Sequence, residues 1–369
     1  MTTHRAVVRQ GGASRVQARP TPDPGPGEVL LAPEAVSLCG TDIQMLRGLR
    51  DDPSPVLGHE GACQVVAVGA GVTRVRPGDR VVVNPTHPGD PSFLLGHNVD
   101  GLFQQRVLIA ASAVEAGLLV PIGDALGSHE ATLVEPLAVV DYAWHCLDLA
   151  PGEELVVVGD GLIGNLAAER ARHLFEDVRV TLVHTSDAGL AWSERHLDPA
   201  IRHVRWQDLC PGEGDPPAHV LIATHRDRTV DAVDLAHERL GSSLRAFHVI
   251  GGVYGGAAGR HYPGVDLSGV RAANTGGPLP PRRVTWSGGT GPGVRFTGNR
   301  GVTGAALAAA AGELTRRPDR YRRLLTHRRA LESGTELMNR LVDGGRLVDG
   351  ELVVRLVVEM NTDLLKADA

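Results

Sequence analysis

The sequence predicts an α/β protein made of a doubly wound parallel sheet and a second, β-rich domain, and three observations predict it. The apolar run Leu155-Val156-Val157-Val158 is followed at once by Gly159, Gly161 and Gly164 in G-x-G-x-x-G register, then by the helix-forming Asn165-Leu-Ala-Ala-Glu-Arg. After it, short apolar runs alternate with helical segments, the pattern of parallel strands joined by right-handed crossovers. Ahead of it, glycine and proline break the chain into short strand-like pieces, as at TPDPGPGE.

Strand, tight turn and helix in that order form the Rossmann nucleotide-binding unit. Gly159 permits the sharp turn, Gly161 lets backbone approach a pyrophosphate with no Cβ in the way, and Gly164 lets helix and strand pack closely. The phosphates would rest on the free amides of the helix start, at Leu162, Ile163 and Gly164. Among 46 glycines such a spacing arises by chance; the buried strand before it and the helix after it give it meaning.

A chain of 369 residues is too long for one ordinary core and suggests two domains. With 42% hydrophobic residues and a net charge of -6 it lacks the basic surplus that nucleic-acid binding needs. No apolar run is long enough to span a membrane, and MTTHRAVVRQ lacks the apolar core of a signal peptide, so a cytoplasmic protein is expected. Cys39, Cys63, Cys146 and Cys210 contain no C-x-x-C pair, which argues against a disulfide framework and a self-contained zinc knuckle. Lys366 is the sole lysine, which excludes a Walker-type phosphate loop, a Schiff base and a Tyr/Lys proton-transfer pair.

In chain order, Ala6-Val-Val-Arg and Glu28-Val-Leu-Leu-Ala read as strands with an exposed turn between them. Cys39 follows a strand, and His59 and Glu60 stand at the edge of another, so a thiolate, an imidazole and a carboxylate could converge as a zinc set. Each alone has a plainer reading: a buried cysteine usually behaves as a small hydrophobe, and a His-Glu pair is usually solvated.

Cys39-Gly-Thr-Asp, Gly58-His-Glu, Val68-Gly-Ala-Gly-Val, Pro77-Gly-Asp-Arg-Val, Asp100-Gly-Leu-Phe, Glu135-Pro-Leu and the glycine loop follow one another in a shared order. In that order the chain resembles the zinc-dependent branch of the medium-chain dehydrogenases, nearest to sorbitol, threonine and glucose dehydrogenases. The resemblance covers nearly the whole length except roughly Val253 to Val294. It implies a GroES-like catalytic domain at 1–136 and 298–369 and a Rossmann domain at 137–297. It implies Cys39 and His59 as metal ligands, Glu60 as a ligand or a carboxylate just behind the ion, and Glu135 as a further ligand or water-holding carboxylate. Asp42 would orient His59, and Thr41 would hydrogen-bond the substrate oxygen. A zinc held with one open position would activate a secondary alcohol for hydride transfer to a nicotinamide.

Two departures qualify the resemblance. Gln44 stands where many members carry a proton-relaying histidine, and glutamine cannot exchange charge at neutral pH. The lobe that holds a structural zinc in many relatives reads NPTHPGDPSFLLGHNVDGLFQQRV, with no cysteine, and its His87 and His97 read as loop residues. One zinc per chain is therefore expected. Around Glu135, apolar residues fall at helical spacing; the plain alternative for its carboxylate is a charge favoured at a helix N-terminus. His129-Glu130, off the motif, reads as surface.

Val178 to Val183 reads as the second strand of the nucleotide fold, ending in His184, Thr185 and Ser186 where an NAD site would carry an acid. With no carboxylate to repel a 2'-phosphate, and with Arg195 or Arg205 nearby, the pattern leans to NADP. Neutral residues at this place also occur with NAD, and Asp187 could instead reach back. Strands follow at His219-Val-Leu-Ile-Ala and Ala246-Phe-His-Val-Ile, around a helix from Arg228 to Leu240. Val253 to Val294 carries no familiar motif and reads as a cleft border, a subunit contact or a mobile loop. Arg300 could contact cofactor phosphate; a helix from Gly304 to Arg316, another from Gly334 to Val342 and a strand from Glu351 to Val358 close the chain.

The resulting expectation is a zinc-dependent dehydrogenase moving hydride between NAD(P) and a polyol, sugar, cyclitol or amino-alcohol, as a homodimer or homotetramer. The alternatives are a metal-free NADPH-dependent enone or quinone reductase and a non-catalytic NADP-binding protein.

Overall fold

The computed structural model describes residues 2–210, 212, 214–288 and 293–366. They form two compact units, Met1–Ala138 with Thr303–Ala369, and Val139–Val302.

The first unit is built on a seven-stranded sheet in the order His327–Ala330, Leu356–Glu359, Val29–Ser37, Glu60–Val68, Arg80–Val83 and Leu119–Pro121. Val107–Ile109 pairs the first half of Val29–Ser37, and Leu356–Glu359 pairs the second half. All nine residues of Val29–Ser37 are buried, which explains its nearly unbroken apolar run. Proline has no amide to give the ladder, and the register with Glu60–Val68 slips between Pro33 and Ala35. Glu34, at that slip, is 1% exposed. Arg80 satisfies its carboxylate with a two-pronged contact at 2.8 and 2.7 Å, and the Ser128 hydroxyl donates to it at 2.5 Å. The same guanidinium donates to the carbonyls of Gly123 and Leu126, so the charge pair is hydrogen-bonded on both sides. Leu31, Leu102, Phe103 and Met338 lie in the apolar core of this unit.

Two expectations change here. The closing strand is two pieces, Glu351–Leu352 and Leu356–Glu359, and Arg355 stands in the break with its side chain buried. His129 and Glu130 are buried instead of solvated, because Arg322 donates to Glu130 at 2.7 Å and His129 pairs with Glu359 at 3.0 Å. Both partners come from the last fifth of the chain, beyond any local pattern.

The second unit is a seven-stranded sheet in the order Arg202–Arg205, Arg179–His184, Glu154–Val158, Ala218–Ile222, Leu244–Val249, Val294–Gly298 and Val284–Trp286. The first six are parallel and the last is antiparallel. The strand order reverses direction on either side of Glu154–Val158, which makes the end of that strand the topological switch point where dinucleotides bind in such sheets. The chain therefore has the Rossmann sheet and the β-rich unit that the sequence predicts.

The stretch from Val253 to Val294 is more ordered than its composition suggests. It contains the helix Leu267–Ala272 and the edge strand Val284–Trp286, while residues 289–292 lie outside those described. Tyr262 anchors it: the ring is fully buried edge-on against Phe247, Phe296 and Trp286 at 4.7 to 5.7 Å between centroids. Among the described residues no helix is long and apolar enough to cross a membrane.

Arg80→Ala should leave the Glu34 carboxylate buried without its cation and cost about 3–5 kcal/mol of stability, read as a fall in the urea midpoint. An unchanged midpoint would show that the pair contributes nothing.

Candidate functional site

Helix Gly40–Leu46 begins immediately after Cys39, whose extended backbone forms the helix N-cap. Asp42, in the first helical turn and fully buried, turns its carboxylate back: Oδ2 accepts the Cys39 amide at 2.9 Å and Oδ1 accepts the Gly58 amide at 3.3 Å. One carboxylate thus ties the turn carrying Cys39 to the segment carrying His59 and Glu60. Gly58 has φ of +92°, and a Cβ there would fall 2.6 Å from the Phe103 ring, so this approach requires glycine.

Ligand atoms of Cys39, His59 and Glu60 consequently lie within 4.8 Å of one another. His59 turns Nε2 toward Glu60 and Nδ1 toward Asp42, each at 3.9 Å. Asp42 is therefore beyond hydrogen-bond reach of the imidazole, and its two bonds go to backbone instead of fixing the ring as the resemblance implies. The buried Nδ1 has no hydrogen-bond partner, and neither do the buried Thr41 hydroxyl and Gln44 carbonyl oxygen. Thiol, imidazole and carboxylate brought this close are a donor set that fits a divalent zinc.

Glu135 lies in the first turn of helix Val134–Leu147 and is not one of the three converging ligands. Burial raises its carboxyl pKa and His59 pulls the other way, so it belongs to the same electrostatic neighbourhood. Burial likewise raises the Cys39 thiol, opposed by Arg355.

Arg355 and His97 are what sequence reasoning missed. Arg355 is 4% exposed, donates to the Leu38 carbonyl at 2.7 Å and forms an ion pair with Glu60, which also accepts the Ser37 hydroxyl at 3.0 Å. Its position near the end of an apolar strand was the available signal, since an arginine interrupting Val353-Val354 and Leu356-Val357-Val358 needs a buried partner. His97, read as a loop residue, is 4% exposed, with its ring 5.1 Å from that of His59 and Nδ1 3.7 Å from Asp52. His87 is half-buried and stays in the loop between strands.

In the second unit the glycine loop follows strand Glu154–Val158, and helix Leu162–Leu174 starts after Gly161. Gly159 has φ of +113°, and a Cβ on Gly164 would lie 1.7 Å from the Gly159 carbonyl oxygen, so neither tolerates a side chain. Around Gly161 a Cβ would meet no atom within 4 Å: the space a pyrophosphate would use is open.

The end of strand Arg179–His184 differs from expectation. His184 is fully buried, its Nε2 2.9 Å from Nδ1 of His203, so its ring is turned into the protein. Burial and His184 together lower the pKa of His203 to about 4. The hydroxyls of Thr185 and Ser186 donate to Asp160, at 3.0 and 3.1 Å. Arg205 pairs with Asp187, Arg195 donates to Ala191, and Arg300 donates to Ser268.

Residues 25–118 match the alcohol dehydrogenase GroES-like domain family. The chain is 33% identical to sorbitol dehydrogenase of Gallus gallus over 175 residues, 43% of this chain and 49% of that protein. It is 31% identical to sorbitol dehydrogenase of Bacillus subtilis over 188 residues, 45% of this chain and 52% of that protein. The chain thus spans about half the length of the curated relatives it matches. By fold the likeness is nearly end to end: 2R,3R-butanediol dehydrogenase from Bacillus subtilis superposes with a TM-score of 0.71 at 19% identity, covering 98% of this chain and 100% of the other.

Asp42→Asn should leave one of two buried amides without an acceptor, costing about 1–3 kcal/mol, and should lower the zinc retained per chain after dialysis. Retention of wild-type stability and zinc content would show that the tie is dispensable.

Proposed function

We propose that the chain, whose residues 25–118 match the alcohol dehydrogenase GroES-like domain family, is a zinc-dependent medium-chain dehydrogenase that transfers hydride between a secondary alcohol and a nicotinamide dinucleotide. The observation that carries this reading is the convergence of Cys39, His59 and Glu60, drawn from two segments twenty residues apart.

In this reading Cys39, His59 and Glu60 hold the zinc, and Glu135 is the carboxylate that accepts from water or ligand beside it. When bound, the ion supplies a Lewis acid that makes the hydroxyl of a secondary alcohol easier to deprotonate. Thr41, whose buried hydroxyl has no partner, accepts the hydrogen bond of the substrate hydroxyl. Gln44, on the same helix, is buried too but carries no exchangeable charge, so it does not relay protons. Arg355 sits on Glu60 and offsets one of the negative charges gathered there, so that a thiolate and a carboxylate can be buried together. The amides of Leu162, Ile163 and Gly164 receive the pyrophosphate.

The substrate class, a polyol, sugar, cyclitol or amino-alcohol, is supported by the sorbitol dehydrogenase relatives and by a carboxylate in place of a second thiolate in the ligand set. One zinc per chain, a homodimer or homotetramer and a cytoplasmic setting belong to the same proposal. The leaning to NADP rests on the absence of a carboxylate after Val183, with the hydroxyls of Thr185 and Ser186 and Arg195 or Arg205 at hand for a 2'-phosphate; the donation of both hydroxyls to Asp160 and the pairing of Arg205 with Asp187 weaken that support.

Zinc content and turnover test the reading together. Wild-type protein should carry about one zinc per chain and reduce NAD or NADP with some member of a panel of polyols and aminocyclitols. Cys39→Ser should lose the metal and at least about a hundredfold in rate. A Cys39→Ser protein with full zinc and full activity would refute the assignment.

A further inference from the structure

Asp160 stands between the first two glycines of the loop, a position at which only backbone is needed for phosphate binding. It is buried, and its side chain turns toward the end of the neighbouring strand Arg179–His184. There Oδ1 accepts the Thr185 hydroxyl at 3.0 Å, and Oδ2 accepts both the Ser186 amide at 3.3 Å and the Ser186 hydroxyl at 3.1 Å. Nδ1 of His184 lies 3.6 Å from Oδ2. Each of these hydrogen bonds is donated to it, as suits an acceptor-only carboxylate.

The surroundings are shaped to this carboxylate. Ser186 is the N-cap of helix Asp187–His196, and its oxygen accepts the Gly189 amide at 3.0 Å, so its single hydroxyl hydrogen is committed to Asp160. A Cβ on Gly189 would lie 2.0 Å from Oδ2, so only glycine leaves room for the acid. Helix Asp187–His196 therefore begins against a negative charge supplied by another loop.

In sheets of this type the end of the second strand is where the adenosine ribose is recognised, and a carboxylate there both binds ribose hydroxyls and repels a 2'-phosphate. In this chain the strand itself ends without one, and Asp160 brings a carboxylate to the same place from inside the glycine loop. It also takes up the hydroxyl hydrogens that a 2'-phosphate would need. Arg205, at the end of the adjoining strand, pairs with Asp187.

We propose that Asp160 sets the dinucleotide site against a 2'-phosphate and makes the protein selective for NAD(H). The inference rests on the dinucleotide reading above. Asp160 acts through Thr185 and Ser186, which makes it a positioning residue for cofactor specificity.

Titration of the metal-loaded protein with NADH and with NADPH, followed by quenching of tryptophan emission, tests this without turnover. NADH should bind wild type at least about tenfold more tightly than NADPH. Asp160→Asn keeps the shape and removes the charge, and should narrow that ratio by about tenfold. A ratio that stays at the wild-type value in a folded Asp160→Asn protein would leave Asp160 a helix cap only and overturn the inference. The wild-type titration needs no variant, so the proposal stays exposed even should the substitution prevent folding: equal or tighter binding of NADPH overturns it. Binding of neither dinucleotide would overturn the dinucleotide reading itself, and this inference with it.

Discussion

The Asp42 carboxylate accepts the amide of Cys39 with one oxygen and that of Gly58 with the other, and the geometry of the candidate metal centre depends on that pair of bonds. A thiol at a helix N-cap and an imidazole at the start of a strand have no local reason to meet. Buried amides need acceptors, and a single acid that serves one from each segment fixes their separation. Glycine at position 58 makes the approach possible, since its left-handed backbone and the Phe103 ring beside it leave no room for a side chain.

Gathering Asp42, Glu60, Glu135 and the Cys39 thiol in one interior carries an electrostatic cost that hydrogen bonds alone do not offset. Arg355 supplies one fixed positive charge, delivered from the far end of the chain through a gap between two short strands. The rest of the balance would fall to a bound cation. A zinc would displace the thiol proton that burial otherwise favours, which couples metal affinity to pH in the usual direction for thiolate sites: tighter as pH rises. The buried Glu34–Arg80 pair solves the same problem elsewhere in the sheet without a metal, because there a cation of equal charge makes a two-pronged contact with the single carboxylate.

The glycine loop, the alternating strands of the second unit and the trio Cys39, His59 and Glu60 were legible because each is written in adjacent residues with a known chemical role. What escaped was long-range. Arg355 and His97 gain meaning only from partners hundreds or tens of residues away, Glu60 for one and His59 for the other. His129-Glu130 read as surface because a His-Glu pair usually is, and only Arg322 and Glu359 make its burial tolerable. Asp160 was in plain view between two glycines. Its role was hidden because a loop sequence does not tell which way a side chain turns, and the absence of an acid after Val183 was read as the absence of a charge there.

X-ray absorption at the zinc K edge on protein loaded with one equivalent of metal tests the central claim most directly. The account predicts a mixed shell: one sulfur at about 2.3 Å, from Cys39, with nitrogen and oxygen neighbours at about 2.0–2.2 Å from His59 and carboxylate. A shell with no sulfur, or one with several, would place the ion elsewhere and contradict it.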